Sequence, residues 1–237
     1  MTMNVLQTMA EIDTARARLV ERGLSALSPW PRELLRKLRL DRSPSVGDRV
    51  KSWDILKTVD FIAKHLPKQA AILDIGAYAS EILVALHRLD YRSLTGVDLN
   101  PRVKRMLYAD SIRYEVADFL QTPFAAASFD AITSISVIEH GFRSSALLSE
   151  ATRLLRPGGY FIASFDYWPQ KLDTSGIQFF GMDWIIFSDA DIRQFIAQAA
   201  EHGLAPLGPI DSNASERPIS CAGKSYTFGW LVLQKQA

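Results

Sequence analysis

At 237 residues the chain fits one large domain, or a domain with a helical appendage, and is long enough to bury a substantial core. A formal charge of +1, from 27 basic and 26 acidic residues, gives no global field of the kind that gathers polyanions, so neither bulk nucleic acid nor a membrane is an expected partner. Cys221 is the only cysteine, which excludes an internal disulfide. No run approaches the ~20 apolar residues of a membrane span, and "MTMNVLQTMAEIDTARARL" lacks a charged start followed by an apolar stretch, so a cytoplasmic protein is the expectation.

The first 66 residues read as a helical N-terminal extension, with residues 67–237 forming an α/β domain. Ile12, Ala15 and Leu19 recur at helical spacing, "SPWPRELLRKLRL" places Leu34, Leu35 and Leu38 on one face, and "RVKSWDILKTVDFIAKHL" is a further helix ending before Pro67. Arg32, Arg36, Lys37, Arg39, Arg42, Arg49 and Lys51 cluster here, either as a solvated helix face or as a patch for an anionic ligand. From residue 71 the pattern alternates. "AAILDI" is an unalternating apolar run, as expected of a parallel strand buried on both faces, and Ser80 is placed to cap the helix "EILVALHRL". "SLTGVDL" is the second strand, followed by Asn100 as N-cap with Pro101 at the first helical position. "IRYEVAD" and "FDAITSISVI" are strands three and four, "RSSALLSEATRLL" a helix, and "GYFIASF" strand five after a Pro-Gly-Gly turn. Ser188 and Asp191 form a capping box on the last helix, which closes at Gly203 before two strands, "LAPLGPI" and "YTFGWLVLQK". The expected fold is a Rossmann-like, doubly wound, seven-stranded mixed sheet whose last hairpin is antiparallel.

In such a sheet, ligands bind beyond the carboxyl ends of the strands. Strand one ends in Asp74-Ile75-Gly76, strand two in Asp98-Leu99 and strand three in Asp118-Phe119. Asp98 follows Gly76 by 22 residues, close to the offset of ~20 at which a carboxylate accepts hydrogen bonds from a ribose. Asp118 and Phe119 offer a hydrogen bond and a ring face to an adenine. Each acid also has a plain structural reading, as a turn cap or a helix entry.

Together, "ILDIGA", "LTGVDLNP", "VADF", "FDAITSISVIEH" and "LLRPGGYFIAS" resemble the class I S-adenosylmethionine-dependent methyltransferases over roughly residues 70–237. The resemblance implies S-adenosylmethionine as cofactor. It puts Asp74 and Gly76 at the methionine end, Asp98 at the ribose hydroxyls, Asp118 and Phe119 at the adenine, and Ser134, Ile135 and Ser136 on its far side, with Ala77, Tyr78 and Leu99 also cofactor-binding. The chain departs from the family where Tyr78 and Ser80 or their neighbours replace two glycines. A dinucleotide needs bare backbone against its pyrophosphate, so this departure counts against a dehydrogenase, whereas a phosphate-free cofactor needs chiefly one close approach, which Gly76 supplies.

Methyl transfer requires a positioned acceptor and, for a hydroxyl, a base. His140, directly after strand four, is the first candidate and Asp166, at the end of strand five, the second, with Glu139 assigned to structure. The insert "FDYWPQKLDTSGIQFFGMDWIIF" supplies Tyr167, Trp168, Phe180 and Trp184 as an acceptor wall, although at least half of its aromatics are expected simply to cover the sheet. "SISV" lacks the Asn/Asp-Pro-Pro-aromatic motif of DNA amino-methylating enzymes, Cys221 lacks a Pro-Cys context, and the four histidines show no zinc spacing. No metal is expected, while a magnesium-assisted site stays open. The function implied is methylation of a small-molecule acceptor at oxygen or nitrogen, with glycan or secondary-metabolite pathways as one setting; a catalytically degenerate scaffold is the alternative, and oligomeric state is not readable.

Overall fold

The computed structural model describes residues 3–27, 38 and 44–236. Its centre is a mixed sheet assembled from β1 (Met3–Val5), β2 (Ile72–Ile75), β3 (Leu94–Asp98), β4 (Arg113–Val116), β5 (Phe129–Ile135), β6 (Leu155–Tyr167), β9 (Leu204–Pro206), β10 (Ile219–Cys221) and β11 (Lys224–Lys235), while β7 (Gln178–Phe179) and β8 (Met182–Asp183) pair apart from it. The strand order is β1-β11-β6-β5-β2-β3-β4, with β9 and β10 also pairing with β11. Strands β2 to β6 run parallel: Ile72 lies between Leu94 and Ala131, and Ile135 lies beside Ser164. β11 returns antiparallel along β6 from Thr227 opposite Tyr167 to Gln234 opposite Tyr160. The expected fold class is therefore found, with two short strands added: β1 extends the far edge of β11, and β10 forms a hairpin with its start.

β2 is buried along its whole length because helices cover both sides of it. One layer contains α1 (Met9–Glu21), α2 (Ser52–His65) and α3 (Ile82–Arg88); its core joins Ile12, Leu19, Val59 and Ile62 to Ile72, Val84 and Val232. The other contains α4 (Ser144–Leu154) and α5 (Asp189–Glu201), where Leu148, Ile192 and Phe195 meet Leu73, Ile132 and Phe165. Neighbouring residues such as Ile72 and Leu73 serve opposite layers, as strand alternation dictates. Each fully buried Val, Ile, Leu or Phe contributes about 1.5–3 kcal/mol, so both layers are needed to offset the ordering of the chain.

Residue 66 marks no break in packing. Asp54 of α2 accepts a hydrogen bond from Ser164 Oγ at 2.7 Å, and Trp230 Nε1 donates to Thr58 Oγ1 at 3.0 Å, so the N-terminal helices share the sheet's core. The expected helix over "SPWPRELLRKLRL", apart from Leu38, and five members of the basic cluster, Arg32, Arg36, Lys37, Arg39 and Arg42, lie outside the described residues. Of the remaining two, Arg49 pairs with Asp13 at the surface and Lys51 turns inward.

Local signals hold at most boundaries. Thr8 with Glu11 and Ser188 with Asp191 both form capping boxes. Asn100 caps a short 3₁₀ turn, Pro101–Arg105, in place of a full helix. Ser80 Oγ accepts from the Ile82 N–H at 3.2 Å, which caps α3 from one residue before its assigned N-cap, Glu81.

Candidate active site

Beyond the carboxyl ends of β2, β3 and β5 lies a cavity of about 520 Å³, within the range of small-molecule and cofactor sites. Gly76 forms its floor at φ +72°, where a Cβ would overlap Val137 Cγ2 and lie 3.1 Å from Cγ1. Only glycine satisfies both the left-handed backbone and that close approach. Asp98 holds the loop from the neighbouring strand: Oδ2 accepts from the Tyr78 N–H at 3.0 Å and Oδ1 from the Asn100 N–H at 2.7 Å. Tyr78 is half-buried in the cavity wall and leaves the space open.

The absent glycines have left a conformational trace. Ala79 adopts φ +65°, a region that costs a residue with a Cβ about 1–2 kcal/mol. Ala79→Gly is therefore expected to raise stability by about 1 kcal/mol in a denaturant titration. A loss of about 0.5–1 kcal/mol, usual for Ala→Gly at ordinary φ, would show the position unstrained.

His140 faces the opposite wall. Its Nδ1 is buried without a partner, and Phe179 and Phe180 approach the ring edge-on, with centroids 5.9 and 5.5 Å away. Burial, helped by the Lys51 charge, lowers its pKa to about 4, so the imidazole is neutral near pH 7. The insert is stitched to this corner: the Gly141 N–H donates to Asp183 O at 2.8 Å and the Ile185 N–H to Glu139 O at 3.0 Å. Beside these bonds, β7 and β8 form a hairpin whose turn presents Phe180, 87% exposed, at the cavity mouth.

Beneath the wall sits a buried polar cluster. Lys51 Nζ donates to Ser136 Oγ at 2.5 Å, lies 3.9 Å from Asp166 Oδ1 and stands 3.8 Å over the Phe228 ring. Asp54, Glu139 and Asp166 are all buried close by. Desolvation raises Asp54 to about 6 and pushes Glu139 and Asp166 up as well, with mutual repulsion adding to the Glu139 shift. Asp74 is likewise raised by burial, to about 7, against the opposing hydrogen bonds of Thr133 and Ser80; its Oδ1 accepts from Thr133 Oγ1 at 2.6 Å.

Of the residues expected from sequence, Gly76, Tyr78, Asp98, Leu99, Phe119, Ile135, Ser136, His140 and Phe180 meet at this one cavity. Others do not line it. Ala77 and Ser134 are buried in the core, and Asp74 lies beneath the floor. Asp118 is exposed and caps its own turn by accepting from the Leu120 N–H. Asp166 is buried, and Trp184 Nε1 donates to it at 2.7 Å. Trp184 and Tyr167 are core residues, the latter donating its hydroxyl to Ser212 O, and Trp168 stacks against Arg217, 4.0 Å from its ring. Among the described residues no group of three His, Cys, Asp or Glu is arranged to hold a metal ion. Gly47, Asp48 and Ile55, none of them expected from sequence, line the cavity from the N-terminal segment together with Lys51 of the basic cluster.

Residues 73–163 match a family model described as a methyltransferase domain. The chain is 25% identical over 176 residues to the 27-O-demethylrifamycin SV methyltransferase of Amycolatopsis mediterranei, covering 68% of this chain and 64% of that one. It is 29% identical over 109 residues to the dimethylglycine N-methyltransferase of Parasynechococcus marenigrum, covering 43% and 39%. The chain thus spans less than two thirds of the length of these curated relatives. Among solved structures, the Burkholderia thailandensis 1,6-didemethyltoxoflavin-N1-methyltransferase, with 1,6-didemethyltoxoflavin and S-adenosylhomocysteine bound, superposes with a TM-score of 0.56 at 18% identity over 78% of this chain and 79% of that one. The geranyl diphosphate C-methyltransferase of Streptomyces coelicolor gives 0.54 at 18% identity over 80% and 84%. Strand order, the glycine at the end of β2 and the acid at the end of β3 accompany the matched segment: over residues 73–163 the chain is similar to methyltransferase domains.

Proposed function

We propose that the chain binds S-adenosylmethionine in this cavity and methylates a small molecule with an apolar or aromatic body at an O–H or N–H. The observation that carries the reading is that the Gly76 cradle, Asp98 and His140 all line one cavity. The residues fit the cofactor. Gly76 leaves room for close backbone approach, and Asp98 stands at the offset of a ribose-binding acid. Phe119 and Leu99 offer apolar surface beyond Asp98. When bound, the cofactor supplies an electrophilic methyl group on sulfur.

The chain's own part is to orient the acceptor, exclude water and take up a proton. Ile55, Val137, Met182 and Phe180 provide an apolar acceptor side, and neutral His140 there is suited to accept from the acceptor's O–H or N–H. Relatives named for O- and N-methylation support the reaction class without choosing the atom. The test is incubation with methyl-labelled S-adenosylmethionine and a fractionated cell extract. Label in a low-mass product is the expected result, and label confined to macromolecules, or none transferred, would overturn the proposal.

A further inference from the structure

The glycine-poor cofactor loop is held from outside the sheet. Glu81, the residue after "GAYAS", is 1% exposed, yet its carboxylate makes three hydrogen bonds to the N-terminal segment. Arg16 of α1 donates to it bidentately, Nη1 to Oε1 at 3.0 Å and Nη2 to Oε2 at 2.7 Å, and the Ala26 N–H donates to Oε1 at 2.7 Å. Arg16 is itself 8% exposed and is fixed by Ser52 Oγ, 2.9 Å from Nε, and Ser25 Oγ, 2.8 Å from Nη1. The Glu81 carboxyl fills the place where a Cβ on Gly47 would stand, 2.5 Å from Cδ, and the Gly47 N–H donates to Ala79 O at 2.8 Å. Gly47, Asp48 and Lys51 then continue as cavity wall.

From this geometry we infer that Arg16 is a positioning residue for the cofactor: through Glu81 it clamps the Tyr78–Glu81 side of the loop to the 47–51 wall. The inference rests on the proposed function for the identity of the ligand, and on the network alone for the clamp. A loop with several glycines can close on its ligand through backbone freedom. In this chain Tyr78, Ala79 and Ser80 occupy that stretch, and the bidentate guanidinium–carboxylate pair, together with the Gly47–Ala79 backbone bond, supplies an external geometry for it.

Removing Arg16 alone strands a buried carboxylate, so stability falls for reasons that need not involve the loop. The decisive variant is the double replacement Arg16→Met with Glu81→Gln, in which no charge is left unpaired and the side-chain amide oxygen introduced at position 81 still accepts from the Ala26 N–H. Its melting temperature is expected to recover most of what R16M loses. Amide hydrogen exchange at Tyr78 and Gly47 is nonetheless expected to quicken by ~10-fold while β6 and β11 keep their protection, and the Kd for S-adenosylhomocysteine to rise by ~10-fold. Unchanged exchange at those two amides in the double variant would overturn the clamp. Faster exchange with an unchanged Kd would overturn the positioning role. Failure of the unmodified chain to bind S-adenosylhomocysteine would instead overturn the cofactor reading, with the exchange data still deciding the clamp.

Discussion

Gly76→Ala is expected to raise the Kd for S-adenosylhomocysteine by ~100-fold or more and to cost about 2–4 kcal/mol of stability. Two independent penalties combine. The left-handed backbone disfavours any residue with a Cβ, and that Cβ would overlap Val137 in a close-packed floor. Relief must come either from the backbone, which displaces the Tyr78 N–H from Asp98, or from Val137, which moves into the cavity. Both routes reach the binding surface. Adding Val137→Ala removes the overlap and leaves the backbone cost, so the double variant should recover part of the stability and remain measurable if G76A folds poorly. Wild-type affinity in G76A would mean that the ligand does not approach this backbone.

His140→Ala should behave differently. Loss of a base at the transition state costs ~10²–10⁴-fold in turnover, while affinity for S-adenosylhomocysteine is expected to stay within about twofold, since the proposed reading puts the imidazole with the acceptor. The pH dependence carries a further signature. With the folded-state pKa lowered to about 4, the imidazole keeps its lone pair through the ordinary histidine range, so the acid limb of kcat/KM set by this group falls near pH 4 and not near 6.5. Between those values the unfolded chain takes up a proton at this histidine that the folded chain refuses. The His140 contribution to stability is therefore lost as pH falls from 6.5 towards 4, and H140A should lack that part of the dependence. Turnover unchanged in H140A would remove the residue from the chemistry, and an acid limb at 6.5 would show the ring solvated.

The elements and site features that were legible in the sequence are those set by local signals. Continuous burial of "ILDI", the caps at Asn100 and Ser188, and the spacing from Gly76 to Asp98 each depend on near neighbours in the chain or on one strand-helix-strand unit. Features produced by distant contact were not legible. Gly47 and Asp48 reach the cavity because α1 and α2 pack across the sheet, and nothing in the sequence marks those two residues as wall, while Lys51 was marked only as one of a basic cluster. Tyr167 and Trp184 carry the aromatic chemistry of a substrate wall, but β6 continues to Tyr167 and buries it, while Trp184 is drawn inward by Asp166. The left-handed backbone at Ala79 is invisible for a different reason, since alanine carries no local preference for it and the loop imposes it.

Whether this cavity, with a single glycine in its loop, works as a cofactor site is tested most directly by titrating the unmodified chain with S-adenosylhomocysteine, followed by calorimetry alongside Gly76→Ala. Saturable binding is expected, one ligand per chain, with a melting temperature that rises with ligand by linkage and a response largely lost in G76A. No heat and no shift in melting temperature at millimolar ligand, or equal binding by the two proteins, would contradict it.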